Sequence, residues 1–159
     1  MSTDPGKAPG PMLLVRAVAA WLILIGAEVV HGAIRVLLVE PYVGDLRSRQ
    51  IGVLTGSLIV LGIAYVSVRR IRAESTRSRI LVGVVWLLLT LLFEVGFGHF
   101  ILGQPWERFA SDYDILEGGL LPLGLLVMTL APLVTARIRG LSSPDDDPRR
   151  GMVSRGEVN

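Results

Sequence analysis

Four long apolar blocks, at residues 12–39, 51–68, 80–102 and 115–136, constrain this chain more than any other feature. A helix rises about 1.5 Å per residue and the hydrocarbon core of a bilayer is about 30 Å thick, so each block is roughly long enough to cross, the second only just. A soluble globule of 159 residues, 51% of them apolar, could not hide four such segments. The expected fold is an all-α integral membrane protein with four transmembrane helices. The first block is too long for a signal peptide, carries Glu28 and His31, and lacks a small-residue cleavage site, so it is expected to remain as an uncleaved span.

Residues 12–140 are thus expected to form the membrane domain. The flanking stretches 1–11 and 141–159 read as disordered cytoplasmic tails, the second marked by Pro144, the acidic run Asp145 to Asp147, Pro148 and Gly151. There is no cysteine, which excludes disulfides, thiolate metal sites and thiol redox chemistry.

The net charge of +2 says little, but its distribution gives an orientation. Arg69, Arg70, Arg72, Arg77 and Arg79 crowd the second connection, and Arg137, Arg139, Arg149 and Arg150 follow the fourth span. By the positive-inside rule those regions, and with them the N-terminus, are expected in the cytoplasm of a bacterium whose inner membrane holds the chain. A basic connection bordered by spans on both sides is not a nucleic-acid patch. Tyr42, Trp106 and Tyr113 then fall at the outward interface, where aromatic residues collect.

Shifting the chain by 66 residues places Glu28, Val29 and Gly32 on Glu94, Val95 and Gly98, and Gly52 on Gly118. The pattern is sparse. If it reflects duplication, each half is a helical hairpin, and the two run parallel because two spans return the chain to the same side. Glycines through the spans, including the pair Gly52 and Gly56, are expected to let helices approach closely, in a compact bundle or a homo-oligomer. Pro122 and Pro132 are expected to bend the fourth span.

Glu28 lies about 18 Å along a helix from both Arg16 and Glu40, near the bilayer midplane, where a charge costs at least about 2.5 kcal/mol. His31 and Arg35 follow it at helical spacing on one stripe. Glu94 is again near the middle of the third span, with His99 displaced to another face. Glu28, His31, Arg35, Glu94 and His99 are therefore the expected intramembrane polar site. Three readings are open: ionisable groups that couple proton or ion movement to a solute, buried polar groups that fix helix register, and half of a carboxylate–histidine metal site or a haem between His31 and His99. No cofactor is required by the pattern. The metal reading is weakened because Phe97 stands where the second half needs a histidine.

An outward cluster, Trp106, Asp112, Tyr113, Asp114 and Glu117, suits interfacial anchoring and helix capping, with Asp112 or Asp114 as the cap. No phosphate-binding glycine loop, nucleophile elbow or zincin motif supports enzymatic chemistry. The midplane Glu28 in the first of four spans resembles the coupling carboxylate of small multidrug-resistance exporters. This chain is longer and carries a second glutamate, and no family is assigned on that likeness. The leading expectation is movement of a small solute linked to protons or ions. The alternative is an accessory or assembly subunit that uses the same residues to bind a partner span.

Overall fold

The computed structural model describes residues 10–141. Most of the two expected tails, residues 1–9 and 142–159, lies outside the described residues. Among the described residues every regular element is a helix, and there is no strand. In order come α1 (Pro11–Leu38), a short α2 (Glu40–Val43), α3 (Asp45–Ile71), α4 (Thr76–Phe93) continuing as a π-helical segment (Glu94–Ile101), a short α5 (Trp106–Tyr113) and α6 (Leu121–Ile138). Four helices, α1, α3, α4 with its π extension, and α6, are long and apolar enough to cross a membrane, so this is a four-helix membrane protein.

Each half of the chain runs long helix, short helix, long helix, with α1 packed on α3 and α4 on α6. The broadest contact between the halves is α3 against α6. One end of the bundle carries the arginine-rich α3–α4 connection and the other carries α2 and α5. Most of the buried apolar residues, among them Ala17, Trp21, Leu24, Val60, Val82, Trp86 and Ala131, lie toward the basic end. Two indoles tie α1 to α4 there: Trp21 Nε1 donates to Thr90 Oγ1 at 3.0 Å and Trp86 Nε1 donates to the Ala17 carbonyl at 2.9 Å. Indoles can occupy an apolar interior when their N–H finds such an acceptor. At Gly83 the absence of a side chain lets α4 rest directly on the Thr129 carbonyl of α6. Here the expected close approach of backbones occurs.

The basic connection is more than a charge signal. Arg79 is 2% exposed, and its guanidinium donates to the carbonyls of Ala73 at 3.0 Å, Glu74 at 3.4 Å and Leu141 at 2.8 Å. It closes the turn and holds the end of α6 against it, using a cation to satisfy carbonyls that the helix ends leave open.

Several boundaries differ from the sequence expectation. The second span begins at Asp45 rather than residue 51, because Asp45 and Arg49 pair at 3.0 Å one helical turn apart and carry the helix beyond its apolar stretch. The stretch before the fourth span is helical, since Trp106, Phe109, Ala110 and Tyr113 share one face of α5. The fourth span starts at Leu121 rather than residue 115, because Gly118 takes a positive φ of 92° and interrupts the chain. Pro122 consequently sits in the first turn of α6, where a missing N–H costs nothing, and is no source of a bend. Pro132 alone lies inside the helix.

Candidate functional site

The bundle is solid at the basic end and hollow at the other. A cavity of about 300 Å³ runs from Leu24, Val60, Thr90 and Met128 at its floor to Gln104, Arg108 and Asp112 at its mouth. Its walls come from all four spans and from α5. Glu28, His31 and Arg35 line it from α1 and Glu94 from the start of the π-helical segment, so four of the five residues expected in the polar site share one space.

Glu28 is held against α3 at Gly56, where an added Cβ would stand 2.8 Å from Glu28 Oε2. Gly52 does the same for the aliphatic stem of Arg35. The small pair of α3 therefore receives polar side chains of α1. His31 bridges the helices, with Nδ1 3.3 Å from Glu28 Oε2 and Nε2 2.8 Å from Thr55 Oγ1. Arg35 turns toward the mouth, donating to Ser48 Oγ at 2.9 Å and lying 3.6 Å from Glu40.

His99 is not in this group. It lies in the π-helical segment, which closes with Leu102 N–H on the Phe97 carbonyl at 3.0 Å, and it faces α5. Its Nδ1 donates to the Gln104 carbonyl at 2.9 Å and its ring lies 4.2 Å from that of Trp106. His31 and His99 are not brought together. Among the described residues no three histidine or acidic side chains are grouped as a metal ion would need.

The outward cluster divides. Asp112 lines the mouth and pairs with Arg49, which also bonds Asp45 at 3.0 Å, while Arg108 reaches Asp45 at 3.0 Å, so an ion-pair network joins the start of α3 to α5. Tyr113 stands beside the Glu94 carboxyl, near enough to interact with it electrostatically. Asp114 closes the turn after α5, accepting from Leu116 N at 2.9 Å and Glu117 N at 3.3 Å, and neither it nor Asp112 caps the fourth span, whose N-cap is Leu120 without a side-chain bond. Trp106 packs on His99 and Phe109, and Glu117 is exposed. Arg49, Gln50 and Arg108 fall outside the four apolar blocks, yet all three line the cavity. The Asp45/Arg49 spacing of four was the available signal that the helix continues there.

The three arginines of the cavity thus face carboxylates at its mouth. Deeper, Glu28 Oε1 and Glu94 Oε2 are buried and receive no hydrogen bond from the described chain. No family model, curated protein or solved structure matches the chain. Its function has to be read from this geometry.

Two expectations follow for the site. Burial, and then the neighbouring Glu94 carboxylate, push the Tyr113 phenol from an ordinary 10.0 up to about 12. The folded state therefore keeps a proton that the unfolded chain loses first, so this contribution to stability is full below pH 10 and disappears as the pH rises toward 12. A phenolate absorbance titration should show a late component that is missing in Tyr113→Phe. Separately, Gly56→Ala should displace only the mobile end of Glu28. Stability should then stay within about 1 kcal/mol by thermal melting, while the Glu28 carboxyl band in infrared difference spectra shifts as its contact with His31 is lost.

Proposed function

We propose that the chain is a carrier of the bacterial inner membrane that couples movement of a small solute to protons or ions through the Glu28, His31, Arg35 and Glu94 site. The observation that carries this reading is that ionisable groups of two spans line one cavity that is closed toward the basic end by the Trp21 and Trp86 packing. A carboxyl inside the membrane domain is costly unless it has a partner, a proton or water, and one that faces a cavity can exchange a proton with what enters. Access from one end at a time is the arrangement a coupled carrier needs.

In this reading the arginine-rich end faces the cytoplasm, so the cavity of the described state opens outward. The ion pairs of Asp45, Arg49, Arg108 and Asp112 tie α3 to α5 at that mouth and would have to rearrange as the solute passes. The two hairpins provide the bodies that move against each other, within one chain or across an oligomer.

Purified protein in liposomes containing a pH-sensitive dye tests the proposal. A mixture of small solutes should accumulate in response to an imposed pH gradient and move protons as it does so. Empty vesicles should do neither. If vesicles holding folded protein behave as empty ones, and the protein co-purifies with a second membrane subunit, the accessory reading replaces this one.

A further inference from the structure

His31 is held from behind by a side chain that does not itself line the cavity. Thr55, on α3, is exposed on the other side of His31 from Glu28. Its hydroxyl has a single hydrogen, and helix geometry directs it to the Ile51 carbonyl at 2.8 Å, with the Gly52 carbonyl at 3.3 Å beyond. The Thr55 oxygen then accepts from His31 Nε2 at 2.8 Å, which requires that Nε2 carry a hydrogen.

The consequence lies at the other nitrogen. With Nε2 protonated, a neutral ring presents a lone pair at Nδ1, and Nδ1 stands 3.3 Å from Glu28 Oε2. A carboxylate oxygen also offers only lone pairs. The contact is attractive only when one more proton sits between them, whether the carboxyl or the ring holds it, and in both cases the pair is neutral.

We propose that Thr55 is a positioning residue that fixes the His31 tautomer and so makes Glu28 and His31 a unit binding one shared proton. This rests on the carrier reading and identifies the part of the site that carries the coupling proton. Loss of that proton leaves two lone-pair atoms opposed, which favours separation of the pair and links proton release to a change of structure. Without Thr55 the ring can place its hydrogen on Nδ1 and donate to the carboxylate, so the pair is satisfied with no proton bound. The charged groups around it are otherwise committed. Arg35 on α1 is held by Ser48 and Glu40, Arg49 on α3 and Arg108 and Asp112 on α5 form the mouth network, and Glu94 at the start of the π-helical segment stands beside Tyr113.

The test is nitrogen-15 NMR of the full-length protein, labelled at histidine and reconstituted in lipid bilayers, with solute-linked proton flux measured on the same vesicles. The chain has two histidines, and His99 is an internal reference of the opposite kind, since its Nδ1 donates to the Gln104 carbonyl. Neutral His31 should be the Nε2–H tautomer in the wild type and in Thr55→Ser, and the Nδ1–H tautomer in Thr55→Val. Flux should fall about tenfold in Thr55→Val, the equivalent of one hydrogen bond, and recover in Thr55→Ser. An Nδ1–H tautomer in the wild type, or no change of tautomer in Thr55→Val, overturns the proposal. If Thr55→Val does not fold, the wild-type spectrum decides alone. Vesicles without flux but with the expected tautomers would remove the carrier reading and leave the shared proton standing.

Discussion

Replacing Gly83 with leucine is expected to eliminate folded protein. A Cβ at this position would overlap the carbonyl oxygen of Thr129, and the next nearest atoms are also Thr129 backbone. No rotamer change relieves such a clash, so α4 and α6 must separate. The residues that seal this crossing, Val82, Trp86 and Ala131, are each 0% exposed, and moving the helices apart strips contacts from all of them. Inserting even one or two extra methylenes into a packed core costs about 1–3 kcal/mol, and a whole leucine against backbone costs more, from a total stability of about 5–15 kcal/mol. The measurement is the yield of monodisperse protein after detergent extraction, with the melting temperature of any that survives. Gly26→Leu and Gly62→Leu are the controls, because an added Cβ at either meets nothing within 4 Å. A Gly83→Leu protein that extracts and melts like the wild type would show that the two helices do not touch there.

The same glycine shows where reading the sequence stopped. Helix number and span positions follow from block length and hydropathy, because hydrocarbon imposes them along the chain. Which face of each helix meets which neighbour is not imposed in that way. The spacing of Gly52 and Gly56 matched a backbone-contact motif, yet these glycines make room for Arg35 and Glu28, while the backbone contact falls at Gly83. The stripe of Glu28, His31 and Arg35 was legible because α1 is a regular helix through that stretch. The sequence likewise set His99 on another face than Glu94, but it held no signal that the chain after Glu94 is π-helical or that His99 would meet Gln104 and Trp106. Polar helix extensions were hidden for a related reason. Asp45, Arg49 and the residues of α5 lie outside the apolar blocks, and their helices are held by ion pairs and an amphipathic face rather than by hydropathy. The cavity mouth is built from those residues, so the site could be read at its floor better than at its opening.

Replacing Glu28 with glutamine is expected to abolish solute-linked proton movement, by about a hundredfold or more if the carboxyl transfers the coupling proton, while leaving the protein folded. Glutamine has nearly the same shape, so the space at Gly56 still receives it, and its amide can donate to His31 Nδ1 in place of the shared proton. The variant therefore imitates the proton-loaded pair and cannot unload. Stability should be unchanged or slightly raised, because a buried ionisable group becomes neutral. Glu94→Gln provides the comparison. Glu94 lines the same cavity but neighbours a phenol rather than a histidine, so it belongs to no shared-proton pair, and its loss should reduce flux less than loss of Glu28. Flux assays in vesicles, paired with melting curves, separate the outcomes. If Glu28→Gln instead fails to accumulate as folded protein, the carboxylate is needed for packing rather than exchange, and the same residues would be better understood as the register-fixing contacts of an accessory subunit. Equal flux in wild type and Glu28→Gln would leave His31, Arg35 and Glu94 as the only ionisable groups on the spans lining that cavity, apart from Arg49 at its mouth, and would move the search for the coupling group to Glu94 and its Tyr113 partner.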